Sequence, residues 1–149
     1  MTLTWEKNGF TISTDKQFLN VNVIHHFLNV DSYWAKGVAL ESIEKSIKNS
    51  SICFGLFEGD PERGTAKQVG FARIVTDFVR FAYLMDVFVL NEYRGKGLSK
   101  WMMEVITEQS ELKDVKKMVL CTSDAHGLYS QYGFKELEKP EIYMERLKS

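Results

Sequence analysis

The stretch DVFVLNEYRGKGLSKWMMEVI, Asp86 to Ile106, changes hydrophobic rhythm at its middle. As far as Leu90 it is a near-continuous apolar run with the composition of a buried strand. From Leu98 onward the apolar residues Leu98, Trp101, Met102, Val105 and Ile106 recur at the spacing of one helical face. Between the two lies a charged turn carrying Gly95 and Gly97. Backbone N–H groups at a helix start lack intrahelical acceptors and carry the positive end of the helix dipole, so such a junction can bind phosphate oxygens. Glycine there allows close approach and unusual backbone angles. Arg94 and Lys96 add positive charge beside the turn. The same spacing also fits a plain left-handed turn with a solvated charged loop. The stretch has no G-x-x-x-x-G-K-[ST], and G-x-G-x-x-G fails because Lys100 stands at its last glycine. Both absences argue against a nucleotide triphosphatase or a dinucleotide enzyme.

Working outward, GFTISTD at the N-terminal end reads as a short strand. FLNVNVIHHFLNV has helical spacing through Phe18, Val21, Ile24, His25 and Leu28, and LESIEKSIKNS forms a second short helix. SICFGLFEG and QVGFARIV are strands joined by the polar hairpin loop GDPERGTAK, and FAYLMDVFVL follows after the turn TDFVR. After the glycine junction and its helix come a strand at KKMVLCT, a short helix at DAHGLYSQY with Asp124 as its cap, and a closing strand at PEIYMERL. The order is mixed α/β (α+β): a meander, then a strand-helix-strand unit that presents the helix N-terminus at the ligand-binding edge of the sheet.

The chain of 149 residues suits one domain, residues 1–149, and its 44% hydrophobic content supports a sizeable core. Nineteen basic against twenty acidic residues leave a charge of -1, which gives no electrostatic case for a nucleic acid partner or an anionic membrane surface. No apolar run reaches the roughly 20 residues of a membrane span, and MTLTWEKNGF lacks the form of a signal peptide. The expectation is a cytoplasmic protein. Cys53 and Cys121, both in apolar runs, read as small buried hydrophobes rather than a disulfide framework or a metal site.

VFVLNEYRGKGLS resembles the pyrophosphate-binding signature of the GNAT superfamily of N-acetyltransferases: Arg or Gln, two residues, Gly, one residue, then Gly or Ala. Arg94 and Gly97 match, Ser99 holds the final small position, and Asn91 replaces a frequent proline. GLYSQYGF, residues 127–134, resembles the family's later segment, in which a tyrosine precedes a Gly-Phe pair. The element order from about Phe10 onward is also similar. The resemblance implies a largely antiparallel central sheet flanked by helices, with a strand-helix-strand cofactor unit. It implies acetyl-CoA as cosubstrate and no metal, with its pyrophosphate held by the backbone of Arg94, Gly95, Lys96, Gly97, Leu98, Ser99 and Lys100. It further implies a splayed fourth strand whose backbone at Val87, Phe88 and Val89 bonds the pantetheine arm and thioester.

Residue chemistry then suggests roles. No cysteine or serine has a nucleophile's supporting constellation, so direct attack by a primary amine in a ternary complex is expected. An alkylammonium with a pKa of about 10.4 must lose a proton before attack. Asp86 is the candidate base, its other reading being a hydrogen-bonded carboxylate that fixes the strand. His25 and His26 are further titratable groups, one expected to be structural and the other exposed. Tyr129, four positions before Gly133, is the candidate acid for the departing thiolate, with Tyr132 as competitor and core packing as the alternative role. Phe27, Tyr33 and Trp34 are candidate walls of an acceptor pocket. A non-catalytic acyl-CoA-binding module is the alternative function, and the exposed final strand suggests a possible homodimer.

Overall fold

The computed structural model describes residues 2–148. Six strands form one sheet in sequence order: β1 (Thr4–Lys7), β2 (Phe10–Ser13), β3 (Ile52–Glu58), β4 (Lys67–Thr76), β5 (Phe81–Val89) and β6 (Lys117–Val119). The first five are antiparallel, and only β6 runs parallel to its neighbour β5. The helices are α1 (Val21–His26), α2 (Leu40–Asn49), α3 (Leu98–Thr107), α4 (Ser110–Lys113) and α5 (His126–Ser130). This is the mixed, largely antiparallel sheet expected from the sequence. No helix among the described residues is long and apolar enough to cross a membrane.

Alternation along the strands supplies two cores. Ile24, Phe27, Leu28, Ile43 and Ile47 of the α1–α2 layer pack with Cys53, Phe71 and Phe88 on one face. Leu98, Trp101, Met102, Val105 and Ile106 of α3 pack with Phe54, Ala72, Ile74 and Leu84 on the other. Met103 is also fully buried, so the apolar stripe of α3 is wider than its sequence spacing indicates. Burial on this scale fixes the helix: truncating such a side chain to alanine typically costs about 2–5 kcal/mol.

Three expectations are corrected. β1, absent from the sequence reading, pairs with β2 across Asn8-Gly9, both with positive φ, the chemistry of a two-residue hairpin turn. PEIYMERL is not a strand: Pro140–Ile142 forms a 3-10 turn and the chain beyond it has no ladder partner, so β6 is the last strand and the tail supplies no sheet edge for a dimer. Pro140 supplies no N–H to a ladder, and the side chains around it are exposed. Cys121 is exposed, unlike buried Cys53, whose thiol is pushed up by burial.

Two irregularities shape the working end of the sheet. Phe71 pairs with Phe88 and Arg73 with Met85, so Asp86 and Val87 together oppose Ala72 in a β-bulge. Asp86 takes φ +56°, the left-handed region that non-glycine residues seldom adopt. The β5–β6 pairing then ends at Tyr83–Val119, and the strands diverge. The result is a V-shaped opening between Leu84–Val89 on one side and Leu120–Ala125 on the other.

Candidate active site

That opening is a cleft of about 730 Å³. Its floor is β5 from Leu84 to Val89, whose β6-facing backbone has no ladder partner beyond Tyr83. Arg94 and Ser99 stand on its wall at one end, and Tyr33, Trp34, Asp31 and Asp124 at the other.

The glycine junction builds the first end. Gly95 and Gly97 have φ +81° and +75°, and a side chain added at either would enter open space, so the backbone angle and the free approach, not crowding, account for glycine here. Gly97 is the N-cap of α3 and lends no side chain to the cap. The first helical bond runs from Trp101 N–H to the Gly97 carbonyl. The six consecutive N–H groups of Gly95 to Lys100 have no hydrogen-bond acceptor among the described residues. The side chain of Leu98 is buried in the core, so this residue offers only its backbone. Arg94 and Lys96 are exposed beside the turn, and Arg94 Nε lies 3.4 Å from the Val89 carbonyl oxygen. A row of outward N–H groups with flanking cations and no protein acceptor suits a multiply charged anion such as a pyrophosphate.

At the middle stands Tyr129, 9% exposed and in edge contact with Phe134. Its hydroxyl has no hydrogen-bond partner among the described residues, yet none of their sealed side-chain N or O atoms is unsatisfied. The hydroxyl therefore reaches the cleft. Burial, reinforced by the charges of Tyr33 and Asp124, pushes it up to about 12, so it keeps its proton at neutral pH. Tyr132 does not line the cleft; its hydroxyl donates to the Lys100 carbonyl at 3.0 Å, near the start of α3.

The other end is assembled from distant segments. α1 ends in a π turn, Phe27–Asp31, closed by Ser32 N–H donating to the Phe27 carbonyl. Such turns recur where a helix must present a functional segment. Tyr33 and Trp34 follow, in edge contact at 5.0 Å. Tyr33 reaches across the cleft, its hydroxyl oxygen accepting from Ser123 N–H at 2.8 Å. Hydrogen bonds from Ser123 lower this phenol, whereas burial raises Tyr129. Trp34 Nε1 donates to Asp86 Oδ1 at 2.9 Å, and Arg73 Nε donates to Asp86 Oδ2 at 2.6 Å. Phe27 also lines the cleft, stacked on Phe88 at 4.1 Å and 3% exposed.

One expected role differs. Asp124 does not cap α5, since the Thr122 hydroxyl oxygen accepts from the N–H groups of Asp124 and Ala125 and shapes that turn. The adjacent histidines divide as expected into one structural and one exposed, His25 Nε2 bonding the Val38 carbonyl at 2.9 Å and His26 facing solvent, and neither lines the cleft. Among the described residues no group of three or more His, Cys, Asp or Glu is placed to hold a metal. Sequence reading missed Arg73 and Ser123. Arg73 had a faint signal, a charge inside the strand QVGFARIV; Ser123 had none, because its backbone does the work.

A family model described as an acetyltransferase (GNAT) domain matches residues 51–136. A candidate acetyltransferase of Gibberella zeae is 30% identical over 141 residues, covering 85% of this chain and 79% of that protein. The crystal structure of a candidate GNAT-family acetyltransferase from Xanthomonas campestris aligns with a TM-score of 0.86 at 40% identity, covering 96% of each chain. A candidate acetyltransferase of Clostridium acetobutylicum, crystallised with acetyl-CoA, shares the fold with a TM-score of 0.60 at 14% identity, covering 99% of this chain and 96% of that one.

Proposed function

The chain belongs to the GNAT superfamily of N-acetyltransferases, and from that premise we propose that it transfers an acetyl group from acetyl-CoA to a primary amine by direct attack in a ternary complex. The observation that carries the cosubstrate is the run of six unpartnered N–H groups from Gly95 to Lys100 beside a cleft that begins where β5 leaves β6. The donor supplies an activated acyl group as a thioester. The residues of this chain bind it, orient it and manage two protons.

Arg94, Lys96 and the backbone of Gly95 to Lys100 hold the pyrophosphate. The unpaired edge of β5 at Val87, Phe88 and Val89 receives the arm and thioester, and an N–H there stabilises the oxygen as it becomes anionic. One such donor is typically worth about 3 kcal/mol. The amine enters at the open end beside Tyr33 and Trp34. It must arrive neutral, and Asp86 is the carboxylate on the cleft floor that takes the proton through water, since a carboxylate has about four lone-pair sites and two are occupied here.

As the N–C bond forms and the C–S bond breaks, the nitrogen sheds a second proton and the sulfur needs one. Tyr129 sits between. A phenol near 12 facing a thiol of about 8.5 makes outright donation uphill by roughly 5 kcal/mol. Tyr129 therefore works as a relay, passing the nitrogen's proton to sulfur without lingering as a phenolate.

Calorimetric titration with acetyl-CoA tests the reading, with Gly97→Glu as the control that strains the turn and repels phosphate. Saturable binding lost in the control supports it, and a primary-amine screen for thiol release then follows. A folded wild-type protein that does not bind acetyl-CoA ends it.

A further inference from the structure

The acceptor end of the cleft is held by a residue that does not line it. Arg73, on β4 beside the residue that faces the bulge, is 12% exposed in its side chain and Asp86 is 10% exposed. The other two ion pairs among the described residues are far more open, with side-chain exposures of 84% and 31% for one and 55% and 69% for the other. The guanidinium uses two edges: Nε bonds Asp86 Oδ2 at 2.6 Å and Nη1 bonds Ser50 Oγ at 3.3 Å, just past the end of α2. Asp86 in turn holds a left-handed backbone and accepts from the Trp34 indole, and Trp34 leans on Tyr33, which bonds Ser123 across the opening. One continuous set of contacts thus runs from the α2 terminus through the sheet to both walls of the acceptor end. None of it touches the N–H row at 95–100.

On the acetyltransferase reading above, we propose that Arg73 is a positioning residue for the acceptor half of the site, acting through Asp86 to set the bulge and to anchor Trp34. Without the guanidinium, Asp86 is a nearly buried carboxylate with one partner in an unfavourable backbone conformation, and it turns toward water. The indole then loses its acceptor, and the Trp34 side chain is released from the cleft floor. Lysine keeps the charge but not the fork that spans Ser50 and Asp86.

The test follows the indole N–H resonances of ¹⁵N-labelled protein, which carries Trp5, Trp34 and Trp101, with Trp34→Phe to assign the signal and Asp86→Ala to mark full loss of its acceptor. In Arg73→Gln the Trp34 signal is expected to move most of the way to the Asp86→Ala position, and in Arg73→Lys part of the way. Trp5 and Trp101 should stay in place, which separates repositioning from unfolding. Acetyl-CoA affinity should stay within about threefold of wild type in both variants, since none of these contacts reaches the N–H row at 95–100 that holds the pyrophosphate. A wild-type Trp34 signal in folded Arg73→Gln overturns the proposal; if that variant does not fold, a wild-type signal in Arg73→Lys overturns it. A Trp34 shift accompanied by a large loss of acetyl-CoA affinity also overturns it, by showing one coupled site. Failure of the wild-type protein to bind acetyl-CoA removes the acetyltransferase reading instead, and leaves the indole result standing as a statement about structure.

Discussion

The two ends of the cleft are made in opposite ways. The donor end is a backbone device: six amides in a row, two left-handed glycines and a helix start, all within one stretch from Arg94 to Trp101. The acceptor end is a side-chain device in which Tyr33 meets Ser123, 90 residues away, and Trp34 meets Asp86, 52 residues away. A backbone site demands few residue identities but strict local conformation. A side-chain site demands identities that mean nothing until the sheet register brings them together. On the proposed function, the first holds the donor and the second meets the acceptor.

The largest expected effect lies where the halves meet. Tyr129→Phe should lower kcat by about 10²-fold, the usual scale for a lost proton-transfer group, while the acetyl-CoA Kd is unchanged by calorimetry. Equal loss of binding and turnover would make Tyr129 part of the donor end. Gly97→Ala attacks the donor end alone. Its φ of +75° disfavours a Cβ by roughly 1–2 kcal/mol, so acetyl-CoA binding should weaken about tenfold, with the melting temperature of the free protein falling by a few degrees. Trp34→Phe removes one hydrogen bond at the acceptor end and should raise the acceptor KM about threefold to tenfold with acetyl-CoA affinity intact. A change in acetyl-CoA affinity of the same size would break the division between the two ends. The subtlest expectation is in the pH profile. Turnover at subsaturating amine should rise with pH toward the amine pKa of about 10.4, with no falling limb from Tyr129 until pH approaches about 12. A falling limb near pH 9 would mean that Tyr129 is not the relay.

The same phenol carries a stability consequence. Its folded pKa is raised above the unfolded value of about 10, so its contribution is complete below that value and is lost as pH rises toward about 12. Thermal melts between those limits should show a larger loss in wild type than in Tyr129→Phe, the remainder coming from the other raised phenols, Tyr83, Tyr93 and Tyr132.

Legibility in the sequence followed locality. The strand, glycine turn and helix from Asp86 to Ile106 were readable because periodicity and turn chemistry act over a few residues, and α3 buries the five residues its spacing selected. The Asn8-Gly9 hairpin is equally local, since both residues supply the positive φ that the turn requires. PEIYMERL failed because alternation alone makes no strand: a strand needs a partner edge, and β6 stops at Val119. Asp86 illustrates the boundary within one residue. Its place in an apolar strand announced a charge with a purpose, but nothing in the chain order announced the bulge, the left-handed backbone or Arg73 as partner.

By itself, then, the sequence determined the sheet-and-helix alternation and the anion-ready helix start, because hydrophobic period and glycine backbone freedom are properties of short segments. Only the tertiary structure decided that β5 leaves β6 after Tyr83, that Tyr129 opens into the gap while Tyr132 faces away from it, and that Arg73 holds Asp86 beneath Trp34. Those facts depend on register and packing between segments far apart in the chain, and their energies exist only once the segments meet.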